Sequence, residues 1–146
     1  MHSSFEELIT TNPSCCVKSK AASENGKRFE INSNEDFTRI KIDGCLITLQ
    51  NVEKCDFGFV RHSNDDFYFV ELKGKEIEKA YKQILTTIDY FNRNLIVIPK
   101  NKKFGFIVSS MVPKAGVSTN NLKQDFAKKY GKILEIKNKV LMYTPK

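Results

Sequence analysis

The most constraining feature of the sequence is a pair of strand-like segments separated by four turn-forming residues. Residues 67–70 read Phe-Tyr-Phe-Val, a run of aromatic and β-branched side chains that is typical of a buried strand. Residues 62–65 read His-Ser-Asn-Asp, which is turn chemistry. We therefore predict that residues 55–61 and 66–73 pair as an antiparallel hairpin.

This hairpin would bring three ionisable side chains together. With the turn centred on residues 62–65, Asp56 lies directly opposite Glu71, and strand alternation puts Lys73 on the same face. Carboxylates that face each other destabilise a strand pair, and a divalent cation between them removes that repulsion. Magnesium prefers this kind of site, in which one or two carboxylates are joined by water or phosphate oxygens. The alternative is a solvated strand face with a weak cross-strand ion pair, and a register shift of one residue would separate the two acids.

The rest of the chain predicts a mixed α/β fold in one domain over residues 1–146. Apolar residues at intervals of three and four predict a helix over residues 75–91. A shorter helix over residues 5–9 follows Ser3 or Ser4 as its cap, and Thr119 or Asn120 can cap a third. Further strands are predicted over residues 29–31, 38–42, 45–49, 95–98, 104–112, 133–136 and 140–143, the last two as a terminal hairpin. We expect a mixed central β-sheet flanked by helices.

Asp56, the hairpin and the tripeptide Glu71-Leu72-Lys73 after an apolar run resemble the PD-(D/E)XK nuclease superfamily. The resemblance covers about residues 39–98. It implies a restriction-endonuclease-like core that cleaves DNA, less often RNA, with Mg²⁺ or Mn²⁺. Carried over by position, it makes Asp56 and Glu71 the metal ligands, the Leu72 carbonyl a further ligand, and Lys73 the catalytic lysine.

Several positions extend this resemblance or depart from it. Cys55 stands where the superfamily has proline. Gln83 resembles the glutamine of the QxxxY motif in the RecB-like subgroup, which makes it a further catalytic candidate, but Thr87 occupies the tyrosine position. The alternative for Gln83 is a polar residue on the margin of an amphipathic helix. Members of the superfamily often add an acid from the first helix, and the candidates here are Glu6, Glu7 and Glu24.

The charge balance is compatible with a polyanionic partner. Lysine and arginine number 24 against 17 acidic residues, a net charge of +7. The solvent side of the predicted helix 75–91 carries Lys75, Lys79 and Lys82, which would contact phosphates beside the site. A second basic cluster consists of Lys100, Lys102 and Lys103. The partner that we expect is nucleic acid, DNA rather than RNA, although solvated charged faces would look the same. A homodimer would place two sites on two strands.

The cysteines form no metal-binding pattern. Cys15, Cys16, Cys45 and Cys55 contain no CxxC pair, and adding the two histidines matches no usual zinc framework. We therefore predict buried reduced thiols in a cytoplasmic protein. No apolar run approaches the ~20 residues of a membrane helix, and the first residues lack the features of a signal peptide.

The sequence thus predicts a metal-dependent nuclease. Two alternatives remain: a nuclease-like module that binds nucleic acid without turnover, and a protein-interaction or defence-associated regulatory domain. No phosphate-binding glycine loop of the GxxxxGK[ST] kind is present, so a nucleotide triphosphatase is not expected.

Overall fold

The protein was analysed as a computed structural model, which describes residues 1–72, 76–110 and 117–146. Within these ranges the fold contains three α-helices and two β-sheets. The helices are α1 (Phe5–Thr11), α2 (Ile77–Tyr90) and α3 (Val117–Lys129). The strands are β1 (Cys16–Lys18), β2 (Ala21–Glu24), β3 (Lys27–Ile31), β4 (Phe37–Lys41), β5 (Phe57–Arg61), β6 (Phe67–Glu71), β7 (Lys103–Ser109), β8 (Ile133–Asn138) and β9 (Val140–Tyr143).

The larger sheet has six strands in the order β1-β4-β5-β6-β7-β8. Neighbouring strands from β1 to β6 in this order are antiparallel, whereas β6, β7 and β8 are parallel to one another. Parallel strands need a crossover connection, and α2 and α3 lie in the two crossovers that join β6 to β7 and β7 to β8. The predicted mixed α/β class is therefore confirmed.

Both faces of the six-stranded sheet are buried, and they have different covers. One face carries Phe69 and Ile107 in a core shared with residues of all three helices. The other face carries Phe59, Tyr68 and Phe106, which pack with apolar residues of the three-stranded sheet β2-β3-β9. In the described residues, helices therefore cover only one face. The aromatic side chains on the second face of β5, β6 and β7 would otherwise be exposed to water, and the small sheet, β2-β3-β9, covers them.

The β5–β6 hairpin has the predicted register. Phe57 pairs with Val70, and Val60 pairs with Phe67. Gly58 fits because a Cβ at this position would lie 2.3 Å from the Phe67 ring. Gly58 pairs with Phe69, and the ring of Phe67, two residues along β6, leans over it, so the observed packing leaves no room for a side chain at residue 58. All residues of both strands are buried, so a slip of one residue would exchange the contents of two cores.

The helix predictions are largely correct. The Ser4 hydroxyl accepts a hydrogen bond from the Glu7 amide (3.1 Å) and so caps α1, as predicted. Helix α2 lies inside the predicted range and continues as a π-helical turn (Phe91–Leu95). The predicted strand over residues 95–98 is wrong, because Leu95 belongs to this turn and residues 96–98 form no strand. The caps predicted at Thr119 and Asn120 are also wrong, because both residues lie inside α3.

The strands predicted over residues 133–136 and 140–143 are present, but their predicted hairpin and the strand predicted over residues 45–49 are wrong. Residues 133–143 do not form a terminal hairpin: β8 pairs with β7, and β9 pairs with β3 in the other sheet. Lys139, with φ of 62°, turns the chain between the sheets. Residues 45–49 form a turn with an isolated bridge from Asp43 to Ile47 instead of a strand. The end of the strand predicted over residues 104–112 lies partly outside the described residues.

A disulfide joins Cys15 to Cys45, so the predicted reduced thiols are wrong for these two residues. Cys16 and Cys55 are free thiols. The bond ties the segment after α1 to the turn after β4. Disulfides persist mainly in oxidising compartments, and the cytoplasmic location stays a prediction. Among the described segments, no helix has the length and apolar character needed to cross a bilayer.

Replacing both disulfide cysteines with serine is expected to lower the free energy of unfolding by about 3–4 kcal/mol. The bond closes a loop with a sequence separation of 30 residues, and opening it restores that entropy to the unfolded chain. Urea denaturation measures the change, with Cys16→Ser as the matched control. Equal stability of the double variant and the control would show that this bond does not constrain the chain.

Candidate active site

The structure places Asp56 and Glu71 at the open end of the β5–β6 hairpin. Asp56 directly precedes β5 and Glu71 is the last residue of β6. Extending the observed pairing by one residue beyond Phe57 and Val70 puts the two acids opposite each other. Alternation then directs both toward the face that the helices cover, as it does Val60 and Phe69.

Backbone hydrogen bonds hold Asp56 in place. Its Oδ2 atom accepts a hydrogen bond from the Leu72 amide (2.7 Å), and its carbonyl accepts one from the Ile42 amide (3.0 Å). A carboxylate that accepts from a backbone N–H makes a strong, charge-assisted bond. Asp56 therefore spans the ends of β4 and β6, and the buried Leu72 uses its amide for this contact.

Both carboxyl groups are buried, which differs from the solvent-open pair that the catalytic hypothesis needs. Asp56 is 2% exposed and Glu71 is 0% exposed. Ionised carboxylates are strongly disfavoured at such sites unless neighbouring groups compensate the charge. The predicted opposed register of the two acids is therefore confirmed, but their carboxyl groups are enclosed and not open to solvent.

The structure does not complete a larger metal-binding cluster. Among the described residues, no group of three His, Cys, Asp or Glu side chains is placed to hold a cation. Glu6 and Glu7 are exposed on α1, where Glu7 accepts a hydrogen bond from Ser3, and Glu24 lies in the smaller sheet. The upstream acid that the resemblance leaves open is thus not brought to Asp56 and Glu71.

The Cys55 thiol lies close to the charges of the two acids. Burial raises the pKa of its thiol well above the usual value, and the nearby charges of Glu71 and Asp56 raise it further. The thiol is therefore neutral at physiological pH and unsuited to nucleophilic chemistry.

Helix α2 positions the segment before Asp56 through Thr87. The buried Thr87 hydroxyl accepts a hydrogen bond from the Cys55 amide (2.9 Å) and donates one to the Gln83 carbonyl (2.7 Å). Thr87 was notable in the sequence only as a departure from the QxxxY pattern. The signal that identifies it is a hydroxyl residue on the apolar face of an amphipathic helix.

Gln83 reaches a polar depression beside this segment. The depression has a volume of about 340 Å³, and its lining includes Gln83 and Lys79 of α2 together with Asp43 and residues 50–54. Lys54 lies 3.7 Å from the Asp43 carboxylate, which borders the turn at Gly44. Gln83 and Lys79 are thus close to the segment that leads into Asp56.

The structure describes two of the four lysines that were predicted to act in catalysis or to contact phosphates. Lys79 and Lys82 are exposed on α2, as the helix pattern predicts. Lys73 and Lys75 lie outside the described residues, so the catalytic role of Lys73 and the phosphate contact of Lys75 stay predictions.

Sequence reasoning missed two polar residues at the ends of the neighbouring parallel strands. Ser109 ends β7 and is buried, and its register partner Asn138 ends β8. Glu71, at the end of β6, pairs with Ile107, two residues before Ser109. The carboxyl ends of three parallel strands therefore carry polar groups at one edge, where α/β sheets usually bind ligands.

Comparisons of this chain with protein-family models, with curated proteins and with solved structures find no match. The candidate site therefore rests on the residues and their geometry.

Thr87→Val is expected to lower the free energy of unfolding by about 1–3 kcal/mol, because it leaves the buried Cys55 amide without its acceptor. Thr87→Ser is the matched control, since it keeps the hydroxyl. Urea denaturation gives the stability of each variant, and deuterium exchange at the Cys55 amide should accelerate only in the valine variant. If both variants exchange alike, the hydroxyl does not hold this segment.

Proposed function

We propose that this chain is a metal-dependent nuclease that hydrolyses phosphodiester bonds in DNA. The observation that carries the proposal is the opposed position of Asp56 and Glu71 at the end of a hairpin of fixed register. This is the arrangement that the PD-(D/E)XK resemblance requires. RNA is the second choice of substrate.

The donor set fits a hard divalent cation. Asp56 and Glu71 would hold Mg²⁺ or Mn²⁺, with the Leu72 carbonyl as a further ligand, and water or phosphate oxygens complete such a site. A cation there also offsets the mutual repulsion of two buried carboxylates. When bound, the metal polarises a phosphoryl oxygen and acidifies water.

Residues of the chain itself supply the remaining functions. We assign to Lys73 the stabilisation of negative charge that develops on the phosphoryl group and the orientation of the attacking water. Gln83 and Lys79 border the same depression and would contact the nucleic acid there. Lys75 and Lys82 would contact neighbouring phosphates.

The topology supports a restriction-endonuclease-like core over about residues 39–98. Strands β4, β5 and β6 are antiparallel neighbours, α2 follows the Glu-x-Lys tripeptide, and β7 then returns parallel to β6. In this proposal the small sheet β2-β3-β9 is an addition that covers the face without helices.

Burial favours a second candidate function, a nuclease-like module that binds nucleic acid without turnover. Asp56 and Glu71 are almost wholly enclosed, and substrate phosphates would reach them only after the site opens. Such a module would bind nucleic acid in a salt-sensitive manner with no need for Mg²⁺. A homodimer, which would cut both strands, is part of the nuclease proposal and is measurable by sedimentation.

Glu71→Gln and Lys73→Ala are each expected to abolish cleavage in the presence of Mg²⁺ or Mn²⁺. Glu71→Gln should leave the melting temperature unchanged or raise it, because it removes one of two opposed buried acids. Cleavage is followed on single-stranded DNA, duplex DNA and RNA during a metal titration. Glu78→Gln removes an exposed acid of α2 and is the matched control.

Three results discriminate among the candidates. Cleavage by the parent chain that both variants lose supports the nuclease. Binding without cleavage at any metal concentration supports the inactive module instead. Cleavage that persists in both variants would place the chemistry elsewhere in the chain.

A further inference from the structure

A second basic surface lies at the opposite end of the six-stranded sheet from Asp56 and Glu71. Lys103 begins β7 and pairs with Phe67, the first residue of β6, whereas Glu71 is the last. Four residues of extended strand separate the two ends by about 13 Å. We call this surface the basic end, and it consists of Lys100, Lys102, Lys103, Lys128 and Lys132.

Direct contacts join the segments that carry these lysines. The Lys100 ammonium donates to the Ala127 carbonyl (2.7 Å), which places it beside Lys128. The Lys132 amide donates to the Lys103 carbonyl (2.7 Å). The Lys102 ammonium donates to the Asn64 carbonyl (2.5 Å), so it lies over the turn of the β5–β6 hairpin.

The lysines of the basic end have no ion-pair partner within the described part of the chain, although Asp125, which pairs with Lys129, lies near Lys128. Lys103 is only 8% exposed, and burial together with the nearby charge of Lys100 lowers the pKa of its ammonium. A buried, unpaired ammonium is costly, and an anion bound from outside would compensate it.

An aromatic cavity adjoins the basic end through Lys132. The cavity has a volume of about 260 Å³, and Phe104, Tyr143 and Lys132 are among its lining residues. The Lys132 ammonium lies 5.7 Å from the centre of the Phe104 ring. Arg61, Asp66 and Glu135 border the same cavity, where Arg61 is hydrogen-bonded to Glu35 and Asp66 accepts a hydrogen bond from Asn64. The cavity is smaller than sites for drug-sized ligands, so it suits a single ring system.

We propose that the basic end binds single-stranded nucleic acid, with phosphates on its lysines and one unstacked base in the cavity beside Tyr143. Cationic side chains next to an aromatic platform are the usual means of binding single strands. A membrane surface or an acidic protein would use the lysines but would leave the aromatic cavity without a ligand. This proposal rests on the proposed function in one respect, namely that the polyanion bound by the protein is nucleic acid.

The first test removes the charges in the absence of divalent metal. Fluorescence anisotropy with a labelled oligothymidylate in EDTA gives the affinity at several salt concentrations. The triple variant Lys100→Gln, Lys128→Gln, Lys132→Gln should weaken binding and reduce the slope of log affinity against log salt by about 2. The control variant Lys18→Gln, Lys20→Gln, Arg28→Gln removes three charges from other surfaces and should leave the slope unchanged.

The second test removes the aromatic platform. Tyr143→Leu should weaken oligothymidylate binding by about 5- to 150-fold and leave binding of inorganic polyphosphate unchanged. Tyr143→Phe keeps the ring and should bind like the parent, so a loss in the leucine variant alone is attributable to the ring.

Failure takes distinct forms. The proposal is overturned if the parent does not bind the oligonucleotide, or if the lysine variant and its control behave alike. It is also overturned if vesicles containing phosphatidylserine bind with the same lysine dependence and Tyr143→Leu has no effect on the oligonucleotide. None of these results bears on metal-dependent cleavage, because no metal is present, and a chain without nuclease activity can still meet every expectation here.

Discussion

Close packing of the β5–β6 hairpin positions the candidate site, and Gly58 is the point where that packing is tightest. Gly58 pairs with Phe69, and a Cβ at residue 58 would overlap the diagonal Phe67 ring, so the observed packing depends on glycine at this position. This register pairs Phe57 with Val70, and one residue further along the strands it places Asp56 opposite Glu71. The relative position of the two acids therefore follows from van der Waals packing in the neighbouring residues of the hairpin. Apolar contacts of this kind are close-packed and leave little freedom for slippage.

Repulsion between the two acids reduces the stability that this packing provides. Two acids enclosed on the helix-covered face raise each other's free energy when both are ionised. The Leu72 amide offsets part of this for Asp56, and the charges of both acids help to hold the Cys55 thiol neutral. A site of this type is less stable than an apolar one would be, and such a loss of stability is common where function is retained. A bound cation would convert the repulsion into coordination.

Local patterns made the hairpin, α1 and α2 predictable, because their periodicities and turn residues act over a few positions. The partner of β9 was not predictable in this way. Residues 137–139 have the composition of a tight turn, yet Lys139 redirects the chain so that β9 pairs with β3, more than a hundred residues earlier. The strand predicted at residues 95–98 failed because a short apolar run indicates burial and not strand pairing: Ile96 and Ile98 are buried, but residues 96–98 form no strand. The Cys15–Cys45 bond was likewise hidden, since spacing alone does not reveal which thiols meet.

The same strands carry different chemistry at their two ends. At the carboxyl ends of β6, β7 and β8 lie Glu71, Ser109 and Asn138, whereas lysines gather at the opposite edge. Because β6 and β7 are parallel and in register, residues that begin them share one edge and residues that end them share the other. A nucleic-acid strand held at the basic end would therefore lie about one strand length from the acids. If both proposals hold, the lysines would bind the nucleic acid without contacting the reacting groups, so that affinity and catalysis would depend on opposite ends of the six-stranded sheet.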